Sequence, residues 1–518
     1  MWLAHIVRRG LDRRPDAVAL RDARRTVTWR QLDREVRALA ALAGGLPQGS
    51  RVVVLSGNRV EVLETYLACA AAGLTAAPVN PALTDPELTA IVDSVEPAAA
   101  VADEAGAARL RAAYPALPVI DIAGVEERGR AAADGPPLAP APGTALSDPA
   151  LILHTSATTG RAKGVVVDQR SLQANAMAWI ADVRPEPGTR FLNAGPLFHG
   201  SVVIALDYLA AGAEVCVLDR YTPQGCLAAL ADWRIEHAFL VPSMVRLLLD
   251  ARALGSTDLG SLRLLLHGAA PMPAELAERA ARELGAGLQT IFGITEGGGP
   301  VLSLRPDDTA GAPPLPGAVC VGSPMLGTAL RITDEAGDDV PPGTVGELQV
   351  TGDGLMQGYW KNPEATAESV RDGWLNTRDL GCVAPDGLVW VVDRRNDLIL
   401  RGGQNVYPAE IEHVLRQSPN VADVAVVPLP SPVWGQTPVA FVQTAEGGTF
   451  DEAELLGLCV GQLAAYKRPS RFVAIERVPR NPAGKVLRVQ LRELARESAE
   501  AEAAAGTAPP TTERQNPA

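Results

Sequence analysis

Residues 151–167 read Leu-Ile-Leu-His-Thr-Ser-Ala-Thr-Thr-Gly-Arg-Ala-Lys-Gly-Val-Val-Val. Leu151–Leu153 and Val165–Val167 predict two strands around a polar loop. The loop, His154 to Gly164, places three hydroxyls (Ser156, Thr158, Thr159) within four residues, then Gly160 and Lys163, with Thr155 at its start. Hydroxyls, backbone N–H groups and an ammonium on a tight turn suit a polyphosphate, because each anionic oxygen needs a donor and the net charge needs a cation. A solvated Ser/Thr turn with a surface lysine is the alternative. The loop is not of the G-x-x-x-x-G-K-[ST] kind, since Lys163 is followed by Gly164 and a strand rather than a helix. The chain also lacks G-x-G-x-x-G and G-x-S-x-G.

Working outward, Arg51–Leu55 predicts a buried strand, Val60 to Gly73 a helix ended by glycine, and Ala76–Val79 the next strand. This alternation implies β-α-β units and a largely parallel sheet. Glu126 to Asp148, rich in Pro, Ala and Gly, reads as a surface excursion. Ser171 is placed to cap a helix running through Ile180. Glu214–Leu218 and Leu262–Leu266 predict further strands, and Gly346 to Val392 a β-rich subdomain. After the charged interruption Asp393–Asp397 comes a short strand at Leu398–Leu400. Pro408 then opens a helix with Ile411, Val414 and Leu415 on one face, followed by strands Val424–Val427 and Ala440–Val442 and a helix Glu452–Ala465. The expectation is an α/β protein: residues 1–393 as a large core of mixed and parallel sheets with flanking helices and the β-rich subdomain, 394–397 as a hinge, 398–496 as a small mobile α+β domain, and 497–518 as a disordered tail.

The formal charge of −13 over 518 residues argues against nucleic acid as the main partner. No apolar run approaches the ~18 residues of a membrane span, and the N-terminus has no apolar leader segment, so a cytoplasmic location is expected. The six scattered cysteines fit buried free thiols. Of 47 basic residues only Lys163, Lys361, Lys467 and Lys485 are lysine. A chain that uses arginine for generic positive charge keeps lysine where a compact ammonium is needed.

The phosphate loop resembles that of the adenylate-forming superfamily, which comprises acyl-CoA synthetases, peptide-synthetase adenylation domains and firefly-type luciferases. Seven further segments agree in order: Pro196–Gly200 (acyl pocket), His267–Pro271 (the loop under adenine), Phe292–Glu296 (aromatic-G-x-T-E), Gly346–Thr366, Thr377–Asp379 (T-G-D), Asp393–Asp397 (the hinge G-R-x-x-D), and Pro479–Arg488 around the C-terminal lysine. The resemblance covers about residues 10–490 and implies ATP-dependent activation of a carboxylic acid to an acyl-adenylate, with release of pyrophosphate. It implies that Thr155, Ser156, Thr158, Thr159, Gly160 and Lys163 hold phosphates, and that Glu296, beside Thr295, binds Mg²⁺. Gly268, Ala269, Ala270, Phe292 and Gly293 would surround adenine, and Asp379 and Arg394 would take the ribose. Lys485 would bridge the attacking carboxylate and the α-phosphate, on a domain that alternates about Asn396.

His199 follows Phe198 where domains that activate α-amino acids carry aspartate, so a simple carboxylic acid is implied; His199 either gates or touches it or is a packed histidine. Val241, Pro242, His267 and Gly268 are expected in the pocket floor, and Gly297–Gly299 are expected to make room for substrate. Gly402-Gly403 resembles the loop beside the pantetheine tunnel, so coenzyme A is the expected acceptor. The alternatives are a carrier-protein thiol, an amine or a small inorganic nucleophile, as in related natural-product enzymes. A catalytically silent scaffold is disfavoured by intact Lys163, Glu296, Asp379, Arg394 and Lys485. Departures from the pattern are Ala157, Arg378 and Asp393 at usual glycines, Ala162 at proline, Asn396 at the hinge residue, and Asn405 where arginine is common.

Overall fold

The computed structural model describes residues 2–43, 45–131, 136–155, 163–481 and 484–504. The chain forms two compact units. The first comprises residues 1–308, 324–330 and 350–375, and the second comprises 309–323, 331–349 and 376–518.

The first unit holds two sheets. One runs in the order Gly358–Tyr359, Gly164–Asp168, Pro149–His154, Thr75–Val79, Arg51–Leu55, Ala99–Ala102, Val119–Asp121. From Pro149–His154 onward its strands are parallel, and the first two pairings are antiparallel. Its central strands are apolar at nearly every position because helices cover both faces. In the other sheet five parallel strands, Glu214–Val217, Arg190–Asn193, His237–Leu240, Leu264–Gly268 and Gly287–Ile294, lie side by side, and Gly299–Leu304 returns antiparallel to the last. The mixed α/β class is as expected.

Some local expectations shift. Asp168, not Ser171, caps the helix Gln169–Val183: its carboxylate accepts the Ser171 N–H at 2.8 Å, and Ser171 Oγ bonds Leu355 O at 2.6 Å. The strand expected at Leu262–Leu266 is Leu264–Gly268, since Leu262 closes a turn to Leu259. The excursion from Glu126 begins with the helix Val125–Ala131, and Leu138 is buried with its N–H on Asp33 Oδ1.

The helix Ser201–Ala211 is buried along its whole length and carries Asp207, 1% exposed, with both carboxylate oxygens unpaired among the described residues. Burial pushes this carboxyl well above the usual range, so it folds as the neutral acid. The unfolded chain gives up that proton near pH 4, so the group destabilises the protein progressively as pH rises above that value. Asp207→Asn, nearly isosteric and uncharged, raises Tm, and the gain is larger at pH 8 than at pH 5. Equal gains at both values, measured by thermal melts, defeat the assignment.

In the second unit Val389–Arg394 lies antiparallel between Val319–Pro324 and Trp374–Val383. A separate sheet pairs Gln404–Val406, Ile399–Arg401, Gly435–Thr444 and Val421–Ser431, with Arg471–Ala474 beside Gly435–Thr444. Alternation explains its two faces. Val424 and Val426 pack with Ile411, Val414 and Leu455 from the helices Pro408–Leu415 and Glu452–Gln462, while Ala425 and Val427 pack with Leu491 and Ala495 of the helix Arg488–Ala504. That last helix runs past residue 497, where a disordered tail was expected. Leu491 and Ala495 anchor it, and the alanine- and glutamate-rich stretch that follows has high helix propensity.

Candidate active site

Strands Pro149–His154 and Gly164–Asp168 form an antiparallel pair in which His154 faces Gly164, so the polar loop is a hairpin loop. Its base is closed by Thr155 N–H on Lys163 O at 3.0 Å. Ser156, Ala157, Thr158, Thr159, Gly160 and Ala162 lie outside the described residues. Lys163 sits at the strand end with Nζ 4.9 Å from the ring centroid of Tyr359, a cation–π distance. Tyr359 is held there because its strand pairs with Gly164–Asp168, placing it opposite Val165. Its hydroxyl donates to Glu296 Oε1 at 2.7 Å. Glu296 belongs to the short 3₁₀ turn Thr295–Gly297, and its carbonyl accepts the Met356 N–H at 2.9 Å. Tyr359 thus links the loop lysine to the acidic residue. The G-Y-W pattern marked the segment, but only the fold shows what its tyrosine touches.

The glycines after Glu296 do not open space for substrate as expected. A Cβ on Gly298, whose φ is +70°, would lie 2.2 Å from Gly354 O, and one on Gly299 would lie 3.1 Å from Val203 and 3.2 Å from Asn175. Neighbouring chain fills those positions, and Asn175 ties the segments by donating to Gly354 O at 3.1 Å.

His267 is buried on the strand Leu264–Gly268, its Nε2 3.2 Å from Thr290 Oγ1. Burial lowers its pKa to about 4, so the ring is neutral. Gly268 is required by close packing, since a Cβ there would sit 2.3 Å from Ile291 O. Ala269 follows at φ +65°, a conformation that costs a residue with a side chain ~1–2 kcal/mol, and Ala270 lies in the same bend. Phe292 and Gly293 occupy the neighbouring strand Gly287–Ile294, with Phe292 half-buried. His199 caps the turn into the helix Ser201–Ala211, its Nδ1 accepting the Gly200 N–H at 2.9 Å. Val241 and Pro242 are buried at the start of the helix Pro242–Leu249.

In the second unit Asp379, 3% exposed, faces Arg394 across adjacent strands, with Nε 3.3 Å from Oδ1. Between Thr377 and Asp379, Arg378 adopts φ +63°. The segment Asp393–Asp397 is tightly bound. Asp393 accepts the N–H groups of Arg394 (2.8 Å) and Ala409 (3.0 Å), the latter at the start of the helix Pro408–Leu415. Arg488 contacts Asp397 (3.3 Å) and Glu412 (2.8 Å), and Arg492 reaches Asp397 and the carbonyl of Asn396, each at 3.4 Å. Lys485 is presented by a small turn. Asn481 bonds its backbone twice, at 2.8 and 2.9 Å, and Arg480 clamps Gly484 O (2.8 Å) and Asp423 (2.7 Å). Gly402 and exposed Gly403, at φ +59° and +80°, make the turn between Ile399–Arg401 and Gln404–Val406. Lys467 is ion-paired with Glu410 and Lys361 with Glu96, at 2.7 and 2.6 Å. All six cysteines are free and buried, and no helix of the described residues is long and apolar enough to cross a membrane.

The order of these segments along an α/β chain of two units is that of adenylate-forming enzymes. The chain belongs to the AMP-binding enzyme family: residues 7–360 match that family's model, and 410–485 match the AMP-binding enzyme C-terminal domain. It is 36% identical over 493 residues to a feruloyl-CoA synthase of Amycolatopsis sp, covering 92% of this chain and 96% of that one. It is likewise 36% identical to the fatty acid–[acyl-carrier-protein] ligase ScoC of Streptomyces coeruleorubidus, over 90% and 92% of the two chains. Among solved structures it resembles ATP-bound MatB from Rhodopseudomonas palustris, with a TM-score of 0.87 and 30% identity over 95% and 99% of the two chains.

Proposed function

We propose that this chain joins a simple carboxylic acid to ATP, releasing pyrophosphate, and then passes the acyl group from the adenylate to the thiol of coenzyme A. The observation that carries this reading is its likeness over nine-tenths of its length to an acid–CoA ligase, with every charged group the chemistry needs retained. An anionic carboxylate attacks an anionic phosphate, so catalysis is mainly charge neutralisation and positioning. In this reading Lys163 and the loop hydroxyls hold the β- and γ-phosphates. Asp379 accepts the ribose hydroxyls with Arg394 beside it, and Phe292, Gly268 and Ala269 border the adenine. Lys485 places its ammonium between the two reacting anions.

Mg²⁺ fits Glu296. The described residues contain no cluster of three acidic, His or Cys side chains, and this ion typically takes one or two carboxylates plus phosphate oxygens and waters. Bound, it would neutralise phosphate charge. Tyr359, by donating to Glu296, orients that carboxylate. His267, expected in the pocket floor, is neutral because burial lowers its pKa to about 4, so it offers no charge to a bound acid.

A second acceptor, an acyl carrier protein, is favoured by the likeness to ScoC. The test is mass spectrometry of reactions with aryl, short-chain and long-chain acids, ATP and Mg²⁺, with and without coenzyme A. Acyl-AMP consumed by coenzyme A is the expected result. Acyl-AMP untouched by coenzyme A but discharged onto a carrier protein selects the second acceptor, and no acyl-AMP from any acid sinks the reading.

A further inference from the structure

Non-glycine residues with left-handed φ sort by their place in the chain. Among the described residues, Glu96 and Arg184 close helices, Arg234 follows one, and Lys361 and Asp372 sit in turns, where this conformation is ordinary. That leaves Ala269 in the candidate adenine loop and Arg378, which lies inside the strand Trp374–Val383. At Arg378 the backbone is pinned from both sides. Its N–H donates to Asn376 Oδ1 at 2.8 Å, and its carbonyl accepts the Arg395 N–H at 3.0 Å. Thr377 Oγ1 fixes the preceding residue to Leu348 O at 2.9 Å. Glycine would hold this geometry without strain. The chain keeps an arginine there, and its guanidinium makes no hydrogen bond or ion pair among the described residues.

The neighbouring charges are already matched. Asp379 takes Arg394 at 3.3 Å, and Glu347 takes Arg395 and Asn376. Arg378 is therefore a surplus cation beside the Asp379–Arg394 pair, on a backbone whose hydrogen bonds glycine would keep equally well, so the fold does not account for the side chain. Strain kept at a nucleotide-binding segment points to a ligand rather than to the fold.

We propose that Arg378 is a phosphate-binding residue whose guanidinium engages a phosphate of a nucleotide-bearing substrate, a role that rests on the adenylating reading above. Two substrates carry that chemistry, ATP and coenzyme A, and a guanidinium fork suits either.

Binding measured by calorimetry on the full chain separates them: wild type, Arg378→Gly and Arg378→Lys, each titrated with Mg-ATP and, in the presence of AMP, with coenzyme A and dephospho-coenzyme A. The expected result is a dissociation constant raised about tenfold or more in R378G, partly restored in R378K, for one of these ligands. The Tm of R378G is equal to wild type or higher, since the strain is relieved. Loss on ATP assigns the polyphosphate. Loss on coenzyme A assigns its phosphates, and the 3′-phosphate in particular if dephospho-coenzyme A escapes. Unchanged affinities overturn the proposal, as does weaker binding together with a lowered Tm, which marks a structural role. Wild type that binds neither ATP nor coenzyme A overturns the adenylating reading instead.

Discussion

Lys485→Ala lowers acyl-adenylate formation by roughly 10²–10³-fold while ATP binding is retained. The magnitude is that of removing one pre-organised charge aimed at developing charge in a transition state. The turn that presents Lys485 is held by backbone groups of residue 485 on Asn481 and by Arg480 on Asp423 and Gly484, so truncating the side chain leaves its supports in place. The phosphate-loop lysine is a different residue on the other unit, so ground-state binding of ATP is spared. Pyrophosphate release at saturating acid reads the rate, and calorimetry reads ATP binding. A variant that still adenylates at near wild-type rate removes Lys485 from the chemistry, and one that loses ATP binding as well moves it to the ground state.

Arg488→Ala destabilises the second unit by about 3–5 kcal/mol, the usual consequence of removing one partner from a buried ionic cluster. Arg488 is 15% exposed and faces Asp397, Glu412 and the Val426 carbonyl, the last at 2.6 Å. Burial pushes the Asp393 carboxyl up to about 6 even with the Arg488 charge pulling it down. Burial also raises Glu412, but the charges of Arg488 and Arg416 overcome it and hold that carboxyl below its ordinary value. Without the guanidinium both carboxyls move up in the folded state, while the unfolded chain keeps values near 4. The unfolded state is common to both proteins, so the deficit is full above the new folded values and shrinks as pH falls through them toward the lower values these carboxyls hold beside Arg488. Urea titrations at pH 8 and pH 5 check this, with the larger loss expected at pH 8. A loss independent of pH would falsify the electrostatic account and leave only packing.

Much of the fold was legible along the chain. Strands such as Arg51–Leu55 and the helix Pro408–Leu415 announce themselves by apolar runs and by spacing, because burial selects side chains locally. The order of seven chemistry-bearing segments was equally plain, since each needs its residue types within a few positions. Asp168 rather than Ser171 as the helix cap was not legible, because either side chain can accept an N–H of the turn that follows it and only the backbone path decides where the helix starts.

What the sequence by itself determined is the class of chemistry and the inventory of charges that perform it. The tertiary structure decided which of those charges meet. Tyr359 reaches Glu296 and Lys163 from about 60 and 200 positions away because its two-residue strand pairs with Gly164–Asp168. The glycines after Glu296 yield to Gly354 and Asn175 rather than to substrate. Among the described residues Arg378 has no counterion, because the carboxylates of Asp379 and Glu347 pair with Arg394 and Arg395. Such outcomes depend on contacts between distant segments, and those contacts are set by sheet pairing and close packing, which no local run of residues specifies.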